Sequence, residues 1–215
     1  AKADHAAKAS SSWADNSIKL DLPKTKFVAY TENEVQSKVL TILRNGEIAE
    51  NLSAGEQAVI VLDVSPYYAE SGGQVSDHGK MFAEGGKFKV ESVTKDEDGH
   101  FGTMQEGTLS AGETVKAKYC PKFRGKVMRN HTAAHLLQAA LREVLGDHVH
   151  QAGQLVNDKA CRFDFSHFSA MTAEEITKVE ELVNQWILEA IPVEVNEMPI
   201  DEARKLGAMA LFGEK

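Results

Sequence analysis

The chain has 215 residues, of which 42% are hydrophobic and 26% are charged, and this balance predicts a globular protein of one large or two small domains. Its formal net charge of -8 argues against indiscriminate nucleic-acid binding, and no apolar run approaches the length of a membrane span. Because it has no signal peptide and Cys120 and Cys161 form no Cys-x-x-Cys pair, we expect a cytoplasmic protein with neither membrane nor DNA as a partner.

Residues 1–24 are polar and weakly patterned, with a serine run at 10–12. This composition predicts a linker or the tail of a preceding domain. The chain opens at Ala1 and stops at Lys215 directly after an apolar run, so we expect a piece of a longer protein.

Residues 25–120 carry the signals of short strands and turns. Asn45-Gly46, between predicted strands at 37–44 and 47–52, is the strongest short hairpin signal in a sequence. Further predicted strands cover 57–64, 87–93, 100–106 and 114–119. Closely spaced short strands predict a small antiparallel barrel or sandwich.

The stretch 65–74 is too irregular for a strand or a helix. Gly72 and Gly73 allow a sharp turn and a close approach to a ligand. Around them stand side chains able to stack or to form hydrogen bonds, namely Tyr67, Tyr68, Glu70, Ser71 and Gln74. The residues alone leave open a binding loop and a plain turn.

Six basic residues follow one another from position 116 with no acid between them: Lys116, Lys118, Lys122, Arg124, Lys126 and Arg129. The commoner explanation is a solvated face. The alternative is a patch that contacts phosphates.

The residue pattern becomes helical at Pro121 and continues to about Leu145, where Gly146 ends it. His131 and His135 are four residues apart, which places them about 6 Å apart along the axis and roughly 40° around it. With Gln138, they lie on a polar flank beside the apolar stripe. Two imidazoles so placed suit one zinc ion, although a site needs more ligands and an ordinary histidine pair is the alternative.

The remaining pattern alternates between helix and strand. We predict an irregular piece at 148–156, a strand at 160–165, a helix capped by Thr172 with Glu175, a strand at 192–196 and a short helix at 201–206. The apolar face of the longer helix is predicted to be core, and it comprises Ile176, Val179, Leu182, Val183, Trp186 and Ile187. Helices packed on a sheet follow from this order.

Four stretches, in this order, resemble the editing domain of alanyl-tRNA synthetases and the free-standing alanyl-tRNA editing proteins. They are residues 68–74, Arg129-Asn130-His131 through His135-Leu136, residues 162–167 and residues 207–215. The resemblance extends from about Phe27 onward, and the ending is more similar to the synthetase. It implies an α+β fold, with a small antiparallel β-barrel at 25–120 followed by an α/β editing core at 121–215.

The resemblance also implies an activity, the hydrolysis of the ester that links serine or glycine to the alanine tRNA. Zinc would be held by His131 and His135 and completed by a Cys-x-x-x-His motif that in the family lies downstream of the Gly-Glu-Lys stretch, so we expect half a site here. Ala134 departs from the threonine that is common in the family. ATP would belong to a catalytic domain upstream.

A pocket sized for alanine rejects serine poorly, whereas a second site that forms hydrogen bonds to the serine hydroxyl discriminates well, because alanine would leave those groups unpaired. The implied catalytic residues are Gln74, Thr132, Glu70 and Ser71. The residues implied to contact the tRNA acceptor end are Gly72, Gly73, Arg129, Asn130, Lys126 and Arg124. The other implied partner is the rest of the parent synthetase.

Two other functions can be weighed from the residues. A His-Glu-x-x-His metalloprotease is excluded because Thr132 stands where that motif has its glutamate. A non-catalytic tRNA-binding module with an incomplete, metal-free site remains open. We expect the chain by itself to bind zinc weakly and to be a poor deacylase.

Overall fold

The computed structural model describes residues 22–95, 99–194, 196 and 198–207. Most of the predicted tail at 1–24 and of the motif at 207–215 lies outside these residues. The chain divides into two compact units, residues 1–125 and 126–215, and each is described by itself. The predicted domain boundaries, after residues 24 and 120, stay predictions.

Among the described residues, ten strands form the first unit. They are β1 (Lys26–Phe27), β2 (Glu34–Arg44), β3 (Glu47–Ala49), β4 (Asn51–Ser53), β5 (Gln57–Leu62), β6 (Val64–Ser65), β7 (Gly79–Phe82), β8 (Gly86–Val93), β9 (Gly99–Ser110) and β10 (Thr114–Tyr119). Six of them close into an antiparallel barrel in the order β2, β5, β9, β8, β7, β10 and back to β2. The α+β fold with a small barrel is therefore confirmed, and the sandwich alternative is wrong.

Alternation along the strands builds the barrel core. In β10 every second residue is buried, so Val115 and Ala117 point inward and meet fully buried side chains such as Ile60 and Phe88. β7 was not predicted, although it joins β8 to β10 and so closes the barrel. Its first residue, Gly79, lies against the backbone at the end of β10. A Cβ at this position would lie 2.2 Å from the backbone oxygen of Lys118.

The predicted hairpin at Asn45-Gly46 is confirmed. Arg44 pairs with Glu47 across the turn, and the two central residues have φ of 54° and 80°. Positive φ at both positions is the signature of the two-residue turn whose twist matches antiparallel strands.

The remaining elements are α1 (Pro121–Leu145), which contains the boundary between the units, β11 (Gln151–Val156), β12 (Cys161–Phe165), α2 (Ala173–Leu188) and α3 (Ile200–Lys205). The predicted bounds of α1 are confirmed, as is the capping box in which Thr172 and Glu175 bond to each other's backbone. The irregular piece is wrong for residues 151–156, because β11 pairs with β12 in an antiparallel hairpin. The strand at 192–196 is wrong where it is described, since residues 192–194 and 196 belong to no strand.

A small core holds the second unit together. Leu141, Val149 and Val179 are buried, with Leu182 and Trp186 among the side chains packed against them. The predicted apolar face of α2 is only partly core: Ile176 is 44% exposed and Ile187 is 52% exposed. Among the described residues, no helix combines the length and apolar character that crossing a membrane requires.

Candidate functional site

The two predicted zinc ligands lie side by side on α1. The rings of His131 and His135 are stacked, with centroids 5.2 Å apart and planes 15° apart. His131 is half-buried and His135 is exposed. Burial, and then the neighbouring His135, lower the pKa of His131, which favours the neutral form of the ring that binds metals.

This donor set fits half of a zinc site. Zinc in proteins takes three or four ligands, and no group of three or more His, Cys, Asp or Glu able to hold a metal occurs among the described residues. His167 lies against His148, with 2.9 Å between His148 Nε2 and His167 Nδ1. The described residues therefore supply two imidazoles as candidate zinc ligands.

The residues beside the histidines have different surroundings. Thr132 and Arg129 are exposed, so both are open to a ligand. Asn130 donates from Nδ2 to the Asn157 oxygen at 2.7 Å, which ties α1 to the end of β11. Lys126 is exposed and lies 4.0 Å from the Asp158 carboxylate, so its charge is partly balanced.

Gln138 is not on the polar flank that the helical pattern predicts. It is 6% exposed, and both its Nε2 and Oε1 are buried without a hydrogen-bond partner in the described structure. It follows His135 by three positions, which is nearly one helical turn. A buried, unpaired amide costs free energy, so it calls for a partner such as a water or a ligand. Sequence periodicity could not reveal this burial.

The glycine-rich loop in the first unit is a tight two-residue turn. Ser71 and Gln74 exchange two backbone hydrogen bonds, at 3.2 Å and 2.9 Å. Between them Gly72 and Gly73 have φ of 56° and 76°, which only glycine adopts without strain. The loop is therefore a plain turn in its backbone, and its use as a binding loop stays a prediction.

The turn is fixed to the barrel by its flanks. Tyr68 N–H donates to Asp77 Oδ2 at 2.9 Å, and Asp77 N–H returns a bond to the Tyr68 oxygen at 2.9 Å. Glu70 N–H donates to Val93 O at 3.1 Å. Of the candidate catalytic side chains here, Glu70 is exposed, Ser71 is half-buried and Gln74 is buried.

Arg124, predicted to contact tRNA, is placed as a structural residue. It is 5% exposed, and its Nε donates to Asp77 Oδ1 at 2.8 Å while Nη2 pairs with Asp77 Oδ2. Nη1 donates to Ala29 O at 3.0 Å, and the guanidinium lies 4.2 Å over the Tyr119 ring. A buried guanidinium with these partners is not available to a phosphate. Helical periodicity could not predict this burial, because α1 starts only three residues earlier.

The basic run is also partly neutralised by acids from elsewhere in the chain. Lys116 and Lys118 on β10 both bind Glu34 of β2, at 2.6 Å and 2.8 Å. Hydrogen bonds from the two lysines lower the pKa of Glu34 to about 2. The continuous basic patch predicted from adjacency in sequence is therefore not a row of free cations.

A serine and a histidine form a hydrogen-bonded pair inside the barrel, in a geometry that resembles a catalytic pair. Ser65 Oγ is 2.7 Å from His100 Nε2, and His100 Nδ1 is 2.8 Å from Ile60 O. Since a carbonyl only accepts, Nδ1 carries the proton and Nε2 accepts from the serine. Both residues are buried, so no substrate reaches them and the pair is structural.

Comparison with known proteins shows the family to which the chain belongs. A family model described as class II tRNA synthetases (A) matches residues 1–122. The chain is 50% identical over 220 residues to the alanine–tRNA ligase of Acetivibrio thermocellus, covering 100% of this chain and 25% of that protein. It is 47% identical over 194 residues to those of Bacillus cereus and Bacillus anthracis, covering 89% of this chain and 22% of each. The chain thus spans about a quarter of the length of these relatives.

Proposed function

Because the chain belongs to the class II tRNA synthetase (A) family, we propose that it is the editing segment of an alanine–tRNA ligase. In this proposal it hydrolyses the ester of seryl- or glycyl-tRNA(Ala), and its partners are the acceptor end of that tRNA and the rest of the synthetase. The observation that carries the proposal is the stacked pair His131 and His135 on α1. The alanine–tRNA ligases that match the whole chain or most of it support the choice of amino acid.

Zinc is the metal that the histidine pair would bind. When bound, it would polarise the ester carbonyl or a water molecule. The described residues supply only half of such a site.

The remaining roles fall to side chains of the chain itself. Thr132 presents an exposed hydroxyl one position after His131 and is our candidate for recognising the hydroxyl of the seryl group. In the other unit, Glu70, Ser71 and Gln74 are the candidates that bond to or polarise the substrate, on a turn whose glycines leave the backbone accessible. Arg129 is our candidate for a phosphate contact, since it is exposed.

A second candidate function is a tRNA-binding module without catalysis. It is favoured by one observation, the presence of two rather than three metal-binding side chains in the described site. The two functions differ in whether ester hydrolysis depends on the histidines.

The test is deacylation of seryl-tRNA(Ala). The chain is assayed as it stands and also joined at Lys215 to the segment that follows in the Acetivibrio relative. We expect slow hydrolysis by the chain alone and rapid hydrolysis by the extended protein, with at least a ~100-fold loss on His131→Ala or His135→Ala.

The matched control is His150→Ala, which removes an exposed histidine of the same unit and should leave the rate unchanged. Equal rates for all three histidine variants, or no hydrolysis by the extended protein despite tRNA binding, would contradict the editing function. The second outcome would favour the non-catalytic module.

A further inference from the structure

Two aromatic side chains are exposed at the start of the first unit. Phe27 is 46% exposed and Tyr30 is 79% exposed. Their ring centroids are 5.2 Å apart and their planes meet at 89°. With the neighbouring Lys24 and Lys26, also exposed, they form what we call the aromatic–lysine patch.

The backbone under this patch is held firmly. β1 pairs in parallel with β6, and Lys26 N–H donates to Asp63 O at 2.7 Å. Thr25 Oγ1 donates to Leu62 O at 2.6 Å, and Arg124 reaches the backbone oxygen of Ala29. The rings are therefore presented on a fixed support, which lowers the entropy cost of binding to them.

The lysines of the patch differ from those of the basic run. Lys116 and Lys118 are both bound to Glu34. Among the described residues, neither Lys24 nor Lys26 has an acidic side chain within ion-pair distance. In a chain of net charge -8, two such lysines beside two bare rings offer attraction to a polyanion.

Tyr30 of the patch also has an electrostatic effect on Tyr68, which flanks the glycine-rich loop. Burial raises the pKa of Tyr68, and the Tyr30 hydroxyl raises it further. Tyr68 in turn donates from its hydroxyl to the Ser71 oxygen at 3.4 Å.

We propose that the aromatic–lysine patch binds an unpaired RNA segment, with bases stacked on Phe27 and Tyr30 and phosphates at Lys24 and Lys26. Aromatic rings alongside cations are the usual means of holding single strands without regard to sequence, because every base has a face to stack. The inference rests on the proposed function for the class of ligand, and it assigns the binding to residues outside the predicted site. An apolar surface of a partner protein would pack favourably against the two rings. It would also remove water from the two charged lysines, which costs free energy.

The test is fluorescence anisotropy of a labelled single-stranded RNA of about eight nucleotides, titrated with the 215-residue chain. We expect the double variant Phe27→Leu/Tyr30→Leu to bind at least ~10-fold more weakly, as loss of stacked bases requires. Lys24→Gln/Lys26→Gln should lower the slope of log affinity against log salt by about 1.4, since each phosphate contact with a single strand contributes about 0.7.

Matched controls lie elsewhere on the chain. Phe82→Leu removes an exposed ring on β7 and Lys159→Gln removes an exposed lysine, and both should bind as the parent chain does. An RNA duplex of the same length should bind more weakly than the single strand, which separates stacking from attraction of charge.

Three outcomes would overturn the inference: no saturable binding by the parent chain, equal binding by the ring variant with an unchanged melting curve, or stronger binding of the duplex. The deacylation assay is independent of them. Hydrolysis that depends on His131 with no effect of the ring variant on RNA binding would remove the patch and leave the proposed function standing.

Discussion

At the scale of single residues, the surroundings of a side chain decide its role more than its type does. Arg124 and Arg129 are separated by five positions of one basic run, yet the first is buried on Asp77 and the second is exposed. Gln138 and His135 belong to neighbouring helical turns, yet the amide is buried without a partner while the imidazole is open. Only contacts from distant parts of the chain create these differences.

The pair of Arg124 and Asp77 should be a main determinant of stability in the first unit. Arg124→Met leaves the Asp77 carboxylate buried without its cation, and we expect a loss of about 3–5 kcal/mol in the free energy of unfolding. Urea denaturation followed by circular dichroism measures it. The control Arg162→Met breaks an exposed pair with Asp164 and should cost less than about 1 kcal/mol. Similar small losses for both variants would show that the buried pair is not structural.

His100 should make stability depend on pH. Complete burial lowers its pKa in the folded state to about 4, from an ordinary value of 6.5. Between these values the unfolded chain binds a proton that the folded chain does not, so stability is full above pH 6.5 and falls as the pH drops toward 4. The loss from this group should reach about 3 kcal/mol.

Urea denaturation at several pH values between 4 and 7 measures this dependence. His100→Gln should flatten the pH dependence, whereas His150→Gln, which alters an exposed histidine, should not. A parental profile that His100→Gln leaves unchanged would refute the assignment.

At the scale of elements, turns and caps follow local chemistry, while the fate of a face depends on its neighbours. The Asn45-Gly46 hairpin, the bounds of α1 and the capping box of α2 were predicted, because each is specified by residues adjacent in the chain. The apolar face of α2 was predicted as core, yet Ile187 is half-exposed. A hydrophobic stripe indicates that a helix face can be buried, but it does not indicate which element buries it.

The turn at Gly72-Gly73 allows a direct test of an element. Gly73 has φ of 76°, so Gly73→Ala should lower the free energy of unfolding by about 1 kcal/mol, while Gly73→Asn should cost less because asparagine tolerates this conformation. Gly85→Ala is the control, since its Cβ would meet ordinary contacts at 3.8 Å. Thermal melting compares them, and a larger loss at Gly85 would contradict the turn geometry.

At the scale of the whole molecule, the predicted site residues are divided between two compact units, an antiparallel barrel and a helical unit. The predicted loop belongs to the unit of residues 1–125, and the histidine pair belongs to the unit of residues 126–215. Each unit supplies its own local geometry, a fixed turn in one and two stacked imidazoles in the other.

Zinc affinity tests the completeness of the site. With two ligands from the described residues, the 215-residue chain should bind zinc with a dissociation constant above ~1 μM, far weaker than structural zinc sites. His135→Ala should weaken it further and His150→Ala should not, as measured by competition with a chromophoric chelator. Stoichiometric zinc that survives gel filtration would show that other residues of this chain complete the site.

The sequence by itself determined the features that neighbouring residues specify: the alternating strands, the hairpin at Asn45-Gly46, the full length of α1, and the helical spacing that stacks His131 on His135. Backbone preferences and side-chain periodicity act over a few residues, so they can be read from the order of the chain. The tertiary structure alone decided that β7 closes the barrel, that Arg124 is buried on Asp77, that Lys116 and Lys118 share Glu34, and that Lys24, Lys26, Phe27 and Tyr30 form an exposed patch. Those outcomes depend on which distant segments meet, since burial and pairing of charges are set by contacts across the fold.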